Sequence, residues 1–371
     1  MLPSPGLLSI EGVRDTAIRT SVDRNGAFEV PSVLNADRPP ERRGMARDHV
    51  RLLVLNRNTA KIDHTRFDRI TEFLGPGDLL VFNSSRTLPA KLLGTLKGSL
   101  LIIETRLAEL LPGGIWLCLL LPQSAKNSGN VVAKASVLDF GAGLNCEVLE
   151  QDQRIPRLWK LRFSKSGPEF LDLLYRVGQP VRYRYLAGPW RLSYYQNVYA
   201  LQPGAAEMAS AGRPFTWRLL LRLRSQGVES SSITLHTGLS SYLDNEIDRR
   251  QVACEEAYWI SEEAAGKIRR AKNSGRRIVA VGTTVVRALE SIAAESAGDV
   301  IACHRYTQLR ITAEYRLQIV SGLLTGLHEP EASHLDLLTA FVPPPTLYAA
   351  YAEAIRQRYL WHEFGDLNLI L

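Results

Sequence analysis

The sequence predicts a layered α/β domain built from both ends of the chain, interrupted by an inserted antiparallel β-barrel. Three observations carry that prediction. After Tyr195, strand-like apolar runs alternate with helical patterns, which argues a layered α/β structure. Before residue 89, the buried-strand run Asp78–Phe82 has the same character. Between about residues 89 and 190 the texture changes: short runs rich in Leu, Val and Ile are separated by turn signals at Gly94, Gly98, Pro112-Gly-Gly114, Ser128-Gly129 and Gly141-Ala-Gly143. Short, evenly spaced strands with Gly-rich turns suit a small barrel. The expected units are a flexible leader over residues 1–26, the α/β domain over 27–88 and 191–371, and the barrel over 89–190.

Each element has a local reason. Val50–Leu55 is an apolar run with a turn after it at Asn56–Ala60, and residues 65–74 carry a helical pattern that stops at Gly75-Pro-Gly77. Phe170–Tyr175 fits one helical turn within the insert. Tyr194, Tyr195, Gln196 and Tyr199 read either as a base-binding cluster or as an alternating strand. Thr216 is placed to cap a helix through Trp217 and Leu223 that ends at Gly227, and Ser230–His236 is the next strand. Ser261 opens a helix with Glu262 and Glu263 in its first turn, where the helix dipole favours acids, and Gly275 closes it. Arg277–Val281 is a strand leading into Gly282-Thr-Thr284 and a helix over Val285–Glu295. Further strands are expected near Arg305–Thr312 and Leu317–Ser321, and two helices, about Ser333–Phe341 and Thr346–Leu360, finish the chain.

Whole-chain properties narrow the function. A chain of 371 residues with 45% apolar and 22% charged residues supports two folded domains and excludes wholesale disorder. No run reaches the roughly 18–20 apolar residues of a membrane span, and the N-terminus lacks a secretory h-region, so a cytoplasmic protein is expected. Cys118, Cys146, Cys254 and Cys303 form no C-x-x-C pair, which points to neither a disulfide framework nor a metal site. A net charge of +7 permits a polyanionic partner. Arg38, Arg42, Arg43, Arg47 and Arg51 crowd one loop, although Asp37, Glu41 and Asp48 offset them and a solvated face explains them equally.

Several residues could carry chemistry. The strand-to-helix turn Val281–Arg287 offers backbone N–H groups, the Thr283 and Thr284 hydroxyls and the Arg287 guanidinium to an anion; the alternative is that one Thr simply caps the helix. His236 and His328 each stand where a strand gives way to a loop, the usual position of working groups in α/β enzymes, with a structural imidazole as the alternative. Arg86 follows a buried strand and suits a carboxylate or phosphate. Tyr195, Gln196 and Tyr199 could stack on or bond a base.

The order of these segments is similar to that of one family. Asn83-Ser-Ser-Arg-Thr-Leu-Pro-Ala-Lys-Leu-Leu-Gly94 resembles N-D-T-R-V-x-P-A-R-L-x-G; Tyr195-Gln-Asn-Val-Tyr-Ala200 with Pro203-Gly204 resembles Y-Q-T-V-Y-A and its P-G. Thr234-Leu-His-Thr-Gly-Leu239 resembles T-L-H-V-G-L, and Gly282–Glu290 resembles G-T-T-x-V-R-x-L-E. Gly322–Pro330 resembles G-L-I-T-N-F-H-L-P, and Phe364-Gly-Asp366 with Leu369-Ile370 resembles Y-G-D-x-x-L-I. The family is the S-adenosylmethionine:tRNA ribosyltransferase-isomerases of queuosine biosynthesis.

The resemblance implies transfer of the ribosyl group of S-adenosylmethionine, as co-substrate and without a metal, to 7-aminomethyl-7-deazaguanine in a tRNA anticodon. It also implies a monomer whose partner is the anticodon stem-loop. On this reading His236, His328 and Glu256 are the expected catalytic groups. Arg86, Tyr195, Gln196, Tyr199, Gly212, Phe215, Gly238, Gly282, Thr283, Thr284 and Arg287 are the expected substrate-binding residues.

The chain also departs from the pattern. A-P-T-A-G-L-H-F is here Met208-Ala-Ser-Ala-Gly-Arg-Pro-Phe215, and G-L-G-T-F is Gly238-Leu-Ser-Ser-Tyr242. H-R-M-H-S-E is Gln251-Val-Ala-Cys-Glu-Glu256, N-D-T-R is Asn83-Ser-Ser-Arg86, and S-T-L-L is Ala332-Ser-His-Leu335. These changes leave two alternatives beside the family reaction: a paralogue acting on another nucleoside or small molecule, and a non-catalytic RNA- or ligand-binding relative.

Overall fold

The computed structural model describes residues 28–123, 132–243, 255–329 and 333–371. The leader, the turn at Ser128-Gly129, the Gln251–Cys254 stretch, Pro330 and Ala332 lie outside them. In chain order the first strands are β1 (Arg51–Leu55), β2 (Ile62–Arg66), β3 (Leu79–Asn83) and β4 (Ser85–Thr87). The barrel strands follow: β5 (Lys91–Leu96), β6 (Ile102–Leu111), β7 (Ile115–Pro122), β8 (Val137–Asp139), β9 (Asn145–Gln151) and β10 (Leu158–Phe163), with α1 (Gly167–Val177) behind them. Then come β11 (Gln202–Ala205), α2 (Trp217–Ser225), β12 (Glu229–Leu235), β13 (Glu256–Ile260), α3 (Glu262–Asn273), β14 (Ile278–Val281), α4 (Thr283–Glu295), β15 (Cys303–Thr307), β16 (Gly322–Gly326), α5 (Ser333–Leu338), α6 (Pro344–Arg356) and β17 (Leu367–Ile370).

The α/β layer is a nine-stranded sheet in the order β15-β13-β12-β3-β14-β16-β17-β1-β2. Its centre, β12-β3-β14-β16, is parallel throughout, so four carboxyl ends open on one edge. β3 and β14 are buried along their whole length, as their unbroken apolar runs require. Helices α3, α4 and α6 supply Ile268, Leu289 and Tyr351 to the core on one face; α2 supplies Leu219 and Leu223 to the other. β5 to β10 close into the expected antiparallel barrel. The helix expected as one turn at Phe170–Tyr175 is the longer α1, and it packs Phe170 and Leu174 against the barrel core.

Both predicted helix caps form: the Thr216 and Ser261 hydroxyls accept from the N–H of Leu219 and Ala264. Four expectations need correction. Residues 65–74 give a 3-10 turn, Phe67–Glu72, and not an α-helix. The Tyr195 segment is likewise a 3-10 turn, Leu192–Tyr195, followed by loop. The strand expected at Leu317–Ser321 begins later, at Gly322, because the buried Glu290 carboxylate accepts the N–H groups of Gln318, Ile319 and Val320 at 2.8–3.0 Å. Those amides are therefore not available to a ladder. Finally, the chain does not finish on two helices: β17 returns between β16 and β1.

Candidate functional site at the carboxyl edge of the sheet

Asn83, 1% exposed, closes the end of β3 and fixes its neighbours. Its side-chain oxygen accepts from the N–H of Ser85 and of Leu235, both at 3.0 Å. Its amide nitrogen donates to the Leu235 carbonyl at 2.9 Å and to the Thr284 hydroxyl at 3.3 Å. One side chain thus extends β3–β12 pairing past the last backbone partner and ties both strands to the start of α4. Ser84 adds bonds to the Ile233 carbonyl at 3.0 Å and the Thr234 hydroxyl at 2.9 Å.

His236 follows directly. Its Nδ1 lies 2.7 Å from the Ser85 hydroxyl. One ring face meets Gly204 of β11 so closely that a Cβ there would stand 2.4–2.5 Å from three ring atoms. The Trp259 ring lies near it with centroids 5.0 Å apart. Burial pushes the imidazole down to about 4, so it is neutral at pH 7. A neutral, oriented imidazole can accept a proton or a hydrogen bond.

Beside it, Gly282 takes φ +99° and serves as the N-cap of α4, with no side chain capping the helix. Neither Thr283 nor Thr284 is therefore the cap, although both are buried at this end. An N-terminus left open in this way suits an anionic oxygen. Arg287, about one turn further on, is paired with Glu256 at the start of β13. The guanidinium expected to anchor a carboxylate already holds one from its own chain.

His328 Nε2 lies 2.7 Å from the Thr325 hydroxyl, and its ring stacks on His334 at 5.0 Å. Burial holds His328 well below its ordinary value, with the neighbouring imidazoles of His334 and His362 adding to the effect, and holds His334 at about 4. This second cluster is also neutral. Among the described residues, no group of three or more His, Cys, Asp or Glu is arranged to hold a metal ion.

The remaining expected residues stand elsewhere. Arg86 is exposed on β4. Tyr195 is buried against Phe364, its ring centroid 5.2 Å away, and is not free to stack on a base. Both ends of the Gln196 amide are taken by the Thr87 backbone at 2.7 and 3.2 Å. The Tyr199 ring packs on Phe82 at 4.6 Å, and its hydroxyl lies where a Cβ at Gly212 would clash. Phe215 is fully buried, edge-on to Phe67 and Phe82. Tyr195, Gln196, Tyr199 and Phe215 are thus committed to packing or backbone contacts within the chain, and Gly212 lies against the Tyr199 hydroxyl. Gly238 passes the barrel, where a Cβ would stand 3.1 Å from the Ala108 carbonyl.

The structure also gathers residues that sequence reading missed. Glu207 accepts from the Tyr183 hydroxyl and, at 2.8 Å, from the Ser240 N–H. Glu363 accepts from the Tyr185 hydroxyl and burial pushes it up to about 7. Tyr185 stacks on His362 at 3.9 Å. The available signal was the alternation Val181-Arg-Tyr-Arg-Tyr185, which sets both tyrosines on one side; their acidic partners come from distant segments.

A family model described as "Queuosine biosynthesis protein" matches residues 25–370. The S-adenosylmethionine:tRNA ribosyltransferase-isomerase of Carboxydothermus hydrogenoformans is 36% identical over 355 residues, covering 93% of this chain and 98% of the relative. That of Thermotoga petrophila is 35% identical over 347 residues, with the same coverage. A crystal structure of S-adenosylmethionine tRNA ribosyltransferase from Thermotoga maritima is 31% identical, with a TM-score of 0.52, and covers 93% of this chain and 99% of its own.

Proposed function

The chain belongs to the queuosine biosynthesis protein family, and from that premise we propose how its carboxyl-edge site works. The reaction moves and isomerises the ribosyl group of S-adenosylmethionine onto 7-aminomethyl-7-deazaguanine in a tRNA anticodon, giving epoxyqueuosine and releasing adenine and methionine. The observation that carries the site assignment is His236, neutral, held by Ser85 and wedged between Gly204 and Trp259 beside the open N-terminus of α4.

His236 takes a proton from the activated sugar and is the first donor available to departing adenine. A neutral imidazole suits the first step, and an imidazolium formed by it suits the second. The N–H groups of Thr283 and Thr284, with the two hydroxyls, receive the methionine carboxylate or ribose oxygens, while the Gly282 N–H is held by the Leu324 carbonyl at 2.8 Å. Glu256 and Arg287 act as a pair: each fixes the other, and either reaches substrate only by exchanging its partner. His328, aligned by Thr325, is the second proton-handling group. Arg86 meets the substrate from the exposed side of β4. The same reading gives a cytoplasmic monomer that takes the anticodon stem-loop and uses no metal; no helix among the described residues is long and apolar enough to cross a membrane.

The test is adenine release from S-adenosylmethionine by the purified chain, with and without tRNA carrying 7-aminomethyl-7-deazaguanine. Release that depends on that tRNA, with a nucleoside of epoxyqueuosine mass, is the expected outcome. Absence of release while S-adenosylmethionine binds refutes the reading. Turnover left intact by His236→Ala removes His236 from its role.

A further inference from the structure

Beyond β12 the sheet extends by two antiparallel strands, and its two faces differ. On one face Tyr258 and Ile260 of β13 enter the core. The other face carries Trp259, directly opposite His304 of β15, and two residues on, Tyr306 opposite Ala257. Trp259 is partly buried, and His304 and Tyr306 are exposed, Tyr306 by 42%. The rings form a continuous row. His236 and Trp259 have centroids 5.0 Å apart, Trp259 and His304 are stacked at 4.4 Å and 16°, and His304 and Tyr306 follow at 5.9 Å. A row of rings on a solvent-facing sheet surface, starting at the proposed reaction centre and reaching the sheet edge, is more than packing requires. Its outer members contribute little to any core.

We propose that Trp259, His304 and Tyr306 form a stacking platform for an unpaired tRNA base neighbouring the nucleotide that undergoes reaction. The inference rests on the function proposed above and extends it to a second contact. Continuity with His236 selects the occupant: a nucleotide held at that imidazole is flanked by loop nucleotides on the same strand. Aromatic faces receive such bases without regard to sequence. The chain's net charge of +7 supplies the long-range attraction that a stack lacks.

The experiment uses the full chain and a tRNA anticodon stem-loop with 2-aminopurine placed in turn at each loop position. Wild type should quench the probe at a position adjacent to the modified one. The exposed pair of substitutions His304→Ala and Tyr306→Ala should abolish that quenching and weaken stem-loop binding by about tenfold or more, the loss expected from one base stack. The slope of affinity against salt should stay unchanged, because no phosphate contact is lost. S-adenosylmethionine affinity should also hold, and His304→Phe with Tyr306→Phe should restore binding. Unchanged stem-loop affinity in the alanine variant overturns the platform while leaving the parent function standing. Weakened S-adenosylmethionine binding with stem-loop binding intact overturns it too, by assigning the rings to the adenine of the co-substrate. Wild type that binds no stem-loop overturns both readings.

Discussion

Replacing Asn83 with alanine should damage stability and turnover together, in amounts the structure allows us to work out. The amide makes four hydrogen bonds, two accepted and two donated. Its loss leaves three backbone groups, the Ser85 N–H and the Leu235 N–H and carbonyl, without the partner that satisfied them. Each buried orphan costs ~1–3 kcal/mol, and partial relaxation or water entry favours the low end. The expected loss is about 3–4 kcal/mol by urea unfolding at unchanged m. The end of β12 then loses its tether to β3, and His236 and Thr284 lose their common anchor. A displacement near 1 Å at a reacting group costs about 100-fold in rate, so kcat/KM should fall by that order. Ser84→Ala is the control: its bonds go to Ile233 and Thr234, upstream of His236. It should cost about 1 kcal/mol and leave turnover nearly intact. A loss under about 1 kcal/mol for Asn83→Ala, or turnover within twofold of wild type, would refute the claim that one amide organises this edge.

Three further outcomes follow from the same structure. Gly204→Ala places a Cβ where the His236 ring lies; turnover should fall at least tenfold with only modest loss of melting temperature, and equal turnover would show that the ring is not held there. Glu41→Ala leaves the Arg213 guanidinium, 2% exposed, without its carboxylate at 2.7 Å. It should cost about 3 kcal/mol, less in the Arg213→Leu background, and strictly additive effects in the double-mutant cycle would contradict the coupling. His334 is held at about 4 by burial first and by the Arg287 charge second. Because its folded pKa lies below the unfolded value, its contribution is complete above about pH 6.5 and is lost as pH falls through 4. His334→Gln should therefore flatten the acid limb of the stability curve by up to about 1.4 kcal/mol per pH unit, and an unchanged limb would count against a neutral buried imidazole. Glu363, pushed up to about 7, has the opposite sign: its stabilising neutral form is lost between about pH 4.5 and 7.

The sheet was legible where strands are buried on both faces, as in Leu79–Phe82 and Ile278–Val281, because continuous apolar runs have few other uses. Helix starts at Thr216 and Ser261 were legible because a hydroxyl before a helical pattern acts locally. Leu317–Ser321 misled because its alternation was real, whereas the carboxylate that captures its amides comes from Glu290 on α4. β17 was invisible because four residues after a helix carry no period of their own; only the docking of Phe364-Gly-Asp366 makes a strand of them. There, Asp366 accepts from the N–H of Arg51 and Leu360, both at 2.7 Å. Within the site, His236 and His328 could be picked out because both end strands. Glu207 and Glu363 could not, since nothing local distinguishes a buried acid from a surface one.

The departures from the family pattern read differently once their surroundings are known. Where the pattern has Leu-His, this chain has Arg213-Pro214, and Arg213 is a buried tie: it donates to the Tyr194 carbonyl at 2.8 Å and pairs with Glu41. Glu41 belongs to the arginine-rich loop, whose cations are largely committed to the protein itself. Arg43 donates to the Phe364 carbonyl and Arg47 to that of Gln196. Arg42 lies over the Trp190 and Tyr194 rings, and Arg51 over Tyr359. The loop that looked most like a phosphate-binding patch is thus a clamp that fastens the N-terminal segment to Phe364, Gln196, Trp190 and Tyr359. The replaced histidine falls at buried Pro214, which lines a small cavity with Gly326 at the end of β16 and with His362. The neighbouring Arg213–Glu41 pair braces this segment, and His236 and His328 are retained at the carboxyl edge. Attraction for a polyanion must then come from cations not already spent on this clamp, such as exposed Arg86 on β4.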